Sequence, residues 1–166
     1  MIKKLRVPIP KHEIAALQVG DMVYVSGNIF CGRDAVLPRI CKLIRERRLE
    51  GMNLEGAVVF HSAVSPAGVG PTSSNKVEIE ESMAVLSAAG VRLHLGKGAI
   101  RTDTVERLHE YGAAFGVIPP VTALLGENLR GHRVVLFPEL GMEAFYELDV
   151  VDYPCVIAAV HGKSIY

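Results

Sequence analysis

The sequence has no excess of either charge: among 166 residues, 18 Lys and Arg stand against 18 Asp and Glu, for a formal net charge of zero with histidine neutral. Nucleic-acid binding driven by counterion release calls for a basic surplus, and an acidic or disordered tail would tilt the count the other way, so neither class is expected. Long hydrophobic runs are missing as well. With 49% hydrophobic residues the chain has ample material for a buried core, yet no stretch approaches the roughly 18 apolar residues of a spanning helix, and no membrane association is expected. The longest candidates, Ala57–Phe60 and Cys155–Val160, are strand-sized. Met1–Arg6 starts basic, but Pro8 and Pro10 follow where a leader would carry an apolar segment and a small-residue cleavage site, so export is not expected.

Cysteine is scarce and unpaired. Cys31, Cys41 and Cys155 are odd in number, widely spaced, and form no Cys-x-x-Cys. This excludes a disulfide framework and fits a reduced, cytoplasmic protein. Zinc and iron–sulfur sites usually draw on closely spaced pairs, so the three are expected as small buried hydrophobes. Nucleotide and metalloprotease signatures are also lacking: there is no GxGxxG and no HExxH, and Lys76 follows Asn75, which breaks the order a P-loop requires. The six histidines are scattered and are expected on the surface or satisfied in the core. No internal repeat or linker interrupts the chain, and residues 1–166 are expected to form one domain.

What is there is an alternation of strands and helices. Met22–Phe30 reads as a strand interrupted by Gly27. Val36, Leu37, Ile40, Leu43 and Ile44 recur at helical spacing, with Pro38 tolerable in the first turn. Ala57–His61 is a short buried strand, and the Gly, Pro and Ser-rich stretch 62–75 reads as a long loop, a length uncommon in a compact domain unless it is functional. A helix striped by Ile79, Met83 and Leu86 stops at Gly90, and a strand Val91–Leu95 runs into Gly96-Lys97-Gly98. Asp103 and Glu106 have the spacing of a capping box for a helix ending at Gly112. Ala113–Ile118, Arg133–Phe137, Phe145–Val151 and Cys155–Val160 are further strand candidates, giving a mixed, three-layer α/β domain.

Three segments end a strand and open a turn or helix: Gly32-Arg33-Asp34, Gly70 to Lys76, and Gly96-Lys97-Gly98. If their strands are neighbours, the loops converge beyond the strands' carboxyl ends, the usual ligand position of an α/β sheet. Pro71-Thr72-Ser73-Ser74 lies just before a helix, where backbone N–H groups and the helix dipole favour an anion. The site so assembled is cationic, with Arg33, Lys76 and Lys97 beside a hydroxyl cluster, and suits a small molecule with two carboxylates. Zero net charge would then conceal a local excess, the acidic groups lying largely on helix faces.

Taken in order, these segments resemble the β subunit of the iron–sulfur class I fumarate hydratase and L-tartrate dehydratase group, which is also the C-terminal domain of the single-chain enzymes. The likeness runs from Leu5-Arg6-Val7-Pro8-Ile9 and Leu17–Asp21, through Val25–Phe30 with Arg33-Asp34, Gly70–Ser74 and Gly96-Lys97-Gly98, to Glu139–Ala144, Val151–Pro154 and Gly162–Tyr166. It implies a swivelling β/β/α domain that acts with an α subunit carrying a 4Fe-4S cluster, and leaves open whether two such heterodimers associate further. The implied reaction is reversible hydration and dehydration of a small 2-hydroxy dicarboxylate. The resemblance places the catalytic base on Thr72 and substrate-binding positions on Arg33, Asp34, Gly70, Pro71, Ser73, Lys76 and Lys97, with no metal ligand in this chain. Departures fall in these motifs: Leu37 stands where the family has histidine, Lys76 where it has arginine and Cys31 where it often has threonine, and the usual glycine pair is replaced near Pro119-Pro120. They keep open a non-catalytic, metabolite- or partner-binding module, and the Gly-Lys-Gly and Ser/Thr loop keep open a phosphate-binding domain.

Overall fold

The computed structural model describes residues 2–65, 68–72, 76–118 and 128–166, the side chains of 64–79 excepted. Strand β1 (Ile2–Arg6) is followed by a short helix α1 (Lys11–Ala15) and by β2 (Met22–Cys31). In β2, buried Val23 and Val25 alternate with partly exposed Met22, Tyr24 and Ser26, the period of two that puts one face in a core. Helix α2 (Leu37–Arg45) carries Pro38 in its first turn and buries Leu37, Ile40 and Cys41. Then come β3 (Val58–Phe60), β4 (Ser62–Ser65), β5 (Gly68–Thr72), α3 (Lys76–Ala88), β6 (Leu93–Gly96), α4 (Thr102–Glu110) and β7 (Ala114–Val117). The chain ends with β8 (Leu129–Leu136), a 3-10 segment (Pro138–Glu143), β9 (Phe145–Val160) and β10 (Lys163–Ser164). No described helix is long and apolar enough to cross a membrane.

Strands β1, β2, β3, β6 and β7 are parallel neighbours in that order. The long β9 then pairs antiparallel with β7 through its second half and with β2 through most of its length. The circuit β2–β3–β6–β7–β9 therefore closes on itself. Its interior holds one core built from Val23, Val25, Val58, Phe60, Leu93, Leu95, Leu148 and Tyr153, all nearly inaccessible. The opposite face of the parallel strands, through Val59 and Phe115, packs under α2, α3 and α4. Two β layers and one helical layer result, the expected three-layer α/β class.

Three local expectations are corrected. Within the stretch 62–75 the described residues are not a loop: β4 and β5 pair as an antiparallel hairpin, Ser62 opposite Thr72 and Ser65 opposite Gly68. The Gly and Pro content suggested a loop, but a two-stranded ribbon tolerates Pro71 because a strand edge needs no second ladder bond there. Phe145–Val151 and Cys155–Val160 are not separate strands. Pro154 lies inside β9 opposite Tyr24, and the irregularity is absorbed by a bulge between Val25 and Gly27 and by Asp152, which adopts φ 48° and donates its N–H to Ser26 Oγ at 2.9 Å. Asp103 and Glu106 do not form a capping box. Helix α4 starts at Thr102, Asp103 lies within the first turn near Arg101 at 3.4 Å, and Glu80 of α3 accepts the Arg101 N–H at 2.5 Å, a tertiary carboxylate in place of a local one.

Candidate active site

The register of the parallel strands decides what meets at their carboxyl ends. Cys31 of β2 pairs with Phe60 of β3, and Phe60 with Leu95 of β6. One residue further, Gly32 N–H donates to Phe60 O at 3.0 Å and His61 N–H to Leu95 O at 2.9 Å. The chain then leaves all three strands at nearly one level, carrying Arg33 and Asp34 from β2, Ser62 from β3 and Lys97 from β6. Because Ser62 is the partner of Thr72, the hairpin returns the Thr72 backbone to this edge. Gly70 and Pro71 lie on β5, and Lys76 is the first residue of α3. Ser73 lies outside the described residues.

Local packing fixes Arg33. A Cβ on Gly32 would lie 2.6 Å from Val36 Cγ1 and 3.0 Å from Phe145 Cδ1, so only glycine lets this loop press against the start of β9. Two residues before Phe145, Glu143 meets the guanidinium: Nε donates to Glu143 Oε1 at 2.7 Å and Nη2 to the same oxygen. That hydrogen bond holds Arg33 more firmly in its charged form, against the opposing effect of partial burial. The Arg33 charge is thus matched by a carboxylate from a residue 110 positions away. Asp34 is half-buried and Lys97 exposed at the end of β6. Glu143 lies in a segment that the sequence marks only as part of the family pattern, and no local spacing connects it to Arg33.

Under this edge the strands bury a polar chain. His61 Nε2 lies 3.1 Å from His94 Nδ1, and His94 Nε2 lies 2.8 Å from Ser87 Oγ of α3, all three residues being fully enclosed. Burial pushes His94 down to about 3, so the ring is neutral. These two of the scattered histidines are thus buried core groups, joined to each other and to Ser87. Leu37, at the position where the resemblance expects histidine, is 1% exposed within the α2 core.

The cysteines are buried thiols in the free state. Burial raises Cys31 and Cys155 to about 12, and Cys31 Sγ–H points to Ser62 O at 3.2 Å. Neither a reactive thiolate nor a metal ligand is indicated by that environment. No group of three or more His, Cys, Asp or Glu able to hold a metal ion occurs among the described residues. A cleft of about 340 Å³ lined by Ile14, His109, Tyr111 and His161 lies at the opposite, amino end of the strands. It shares no residue with the edge just described.

The chain is similar in sequence to known proteins over nearly its whole length. The L(+)-tartrate dehydratase subunit beta of Escherichia coli K12 is 27% identical over 99% of this chain and 87% of its own. A Methanocaldococcus jannaschii protein provisionally named L(+)-tartrate dehydratase subunit beta is 28% identical over 95% of this chain and 88% of its own. A Geobacillus stearothermophilus protein provisionally named fumarate hydratase class I is 27% identical over 98% of this chain, which spans 33% of that longer relative. The family model described as "Fumarase C-terminus" matches residues 2–166, and the chain belongs to that family.

Proposed function

We propose that this chain is the β-type subunit of a hydro-lyase that adds or removes water at a small 2-hydroxy dicarboxylate of the fumarate/malate or tartrate kind. The observation that carries the reading is the common level at which β2, β3 and β6 end, which sets Arg33, the Thr72 backbone and Lys97 along one edge. The names of the related β subunits support the reaction class.

The chemistry asks for what this edge offers. Removing a proton from the carbon next to a carboxylate spreads negative charge onto that carboxylate. Cations held in place there favour the transition state over the ground state. Arg33 holds one carboxylate by hydrogen bonds, while Lys76 and Lys97 act as point charges, with Asp34, Gly70, Pro71 and Ser73 completing the lining. Thr72 is the base. A threonine hydroxyl is far too weak an acid in water to serve, and it acts only where neighbouring cations and a helix N-terminus lower its pKa; α3, beginning four residues on, supplies the second.

The family's 4Fe-4S cluster does not fit the cysteines described here, which are buried apart from one another, and no step is assigned to it. We place it on an α-type partner, so that the strand edge is half of an active site completed across a subunit interface in a cytoplasmic heterodimer. The test is to purify this chain with such a partner, verify the cluster, and offer malate, fumarate and the tartrate stereoisomers. Turnover that requires both chains is expected. Dicarboxylate binding with no turnover, cluster intact, would replace this reading with a non-catalytic metabolite-binding module.

A further inference from the structure

Glu143 contacts Arg33 in a way that a purely stabilising ion pair would not. Arginine and a carboxylate pair most strongly as a fork, with two parallel hydrogen bonds to two oxygens. Here Nε and Nη2 converge on Oε1 alone. The other oxygen, Oε2, is shielded from solvent and accepts no hydrogen bond among the described residues. A shielded carboxylate oxygen without a donor detracts from stability. The pair nevertheless sits where three parts of the candidate site meet: the β2–α2 loop carrying Arg33, the 3-10 segment ending in Glu143, and the hairpin carrying Thr72, whose β4 the 3-10 segment touches. The turn into β9 holds Glu143 rigidly, since the next two residues, Ala144 and Phe145, are 1% and 0% exposed.

Resting on the hydro-lyase reading, we infer that Glu143 is a positioning residue: it grips Arg33 by the Nε–Nη2 edge and thereby sets the guanidinium plane that receives a carboxylate of the substrate. Glu143 does not touch substrate. It acts through Arg33, and it also matches the arginine's charge in the absence of substrate, so that the edge does not attract anions indiscriminately. A guanidinium turned out of plane loses the two-bond geometry on which carboxylate recognition depends.

The test is a cycle of Glu143→Ala, Arg33→Ala and the double variant in the complex with the α-type partner, reading kcat, KM, the Kd of L-malate by calorimetry, and the thermal midpoint. Glu143→Ala is expected to lower kcat/KM about tenfold or more, with KM rising further than kcat falls and the midpoint nearly unchanged. Glu143→Gln, whose amide oxygen still accepts from Nε, should recover most of the loss. Added to Arg33→Ala, Glu143→Ala should have no further effect. An equal loss in both backgrounds, or no loss in the wild-type background, overturns the inference. If the wild-type complex turns over no hydroxy dicarboxylate, the hydro-lyase reading fails while the same cycle in Kd still decides the role of Glu143. A wild-type complex that binds no dicarboxylate overturns both.

Discussion

Two arginine–glutamate pairs stand at opposite ends of the same parallel strands, and they are built differently. At the amino end, Arg92 enters β6 with its side chain 5% exposed, donating from Nη2 to Glu55 Oε1 at 2.9 Å and from Nη1 to the Tyr111 carbonyl at 3.1 Å. It ties the turn before β3, the start of β6 and the end of α4 together. The Glu55 backbone is packed close as well: a Cβ on Gly90 would lie 2.8 Å from Glu55 Cα. At the carboxyl end, Arg33 directs two donors at one oxygen of Glu143 and leaves the other oxygen of that carboxylate without a donor. Donors spread over separate segments hold a fold. At Arg33 two donors meet one carboxylate oxygen beside converging loops, the contact on which the positioning role inferred for Glu143 rests.

Exchanging each arginine for alanine should separate the two roles. Arg33→Ala is expected to lower kcat/KM of the complex about 100-fold or more, in line with removing a hydrogen-bonded charge from a carboxylate site. Its thermal midpoint should fall by less than about 4 °C. Arg92→Ala should do the reverse: about 1–3 kcal/mol lost in denaturant titrations, because a buried side chain that ties three segments loses its packing and its hydrogen bonds to Glu55 and Tyr111, with kcat/KM at low temperature changed less than about twofold. Loss of activity in Arg92→Ala without loss of stability would collapse the comparison.

The buried His61–His94–Ser87 chain sharpens it from a third side. His94 takes up a proton at its ordinary pKa in the unfolded chain but only near 3 in the folded one. Between those values the unfolded state binds more protons, so stability is full above about pH 6.5 and falls as the pH drops, with a slope of up to about 1.4 kcal/mol per unit from this group. Denaturant midpoints measured from pH 8 to pH 5 should show the decline, and His94→Leu should flatten it. The smallest effect expected is at the thiols: with Cys31 and Cys155 raised to about 12 by burial, an aromatic disulfide reagent at pH 8 should modify them only after unfolding.

Much of the fold is legible in the sequence where the signal is local. The strand through Met22–Phe30, the helical stripe that buries Val36, Leu37 and Ile40, and the three small buried cysteines all follow from period and composition. The structure departs where a distant partner decides. Pro154 does not end β9 because β2 pairs along it, and Glu80 replaces the local cap of α4. The site is legible to the same degree. The glycine-bounded segments suggested convergence, and the parallel register supplies the neighbouring strand ends it requires. The Arg33–Glu143 contact spans 110 positions, and no pattern within either segment encodes it. The hairpin was hidden because its Gly and Pro content is that of a loop, while its pairing of Ser62 with Thr72 is a matter of register.

The most direct test of the account is turnover by the Thr72→Ala complex, assembled with the α-type partner, with its cluster and its dicarboxylate affinity verified. The expected result is an intact complex that binds L-malate or tartrate nearly as well as wild type, with kcat reduced by about 1,000-fold or more for loss of the base. Turnover within about threefold of wild type in that complex would contradict the assignment of Thr72 and, with it, the site on this strand edge.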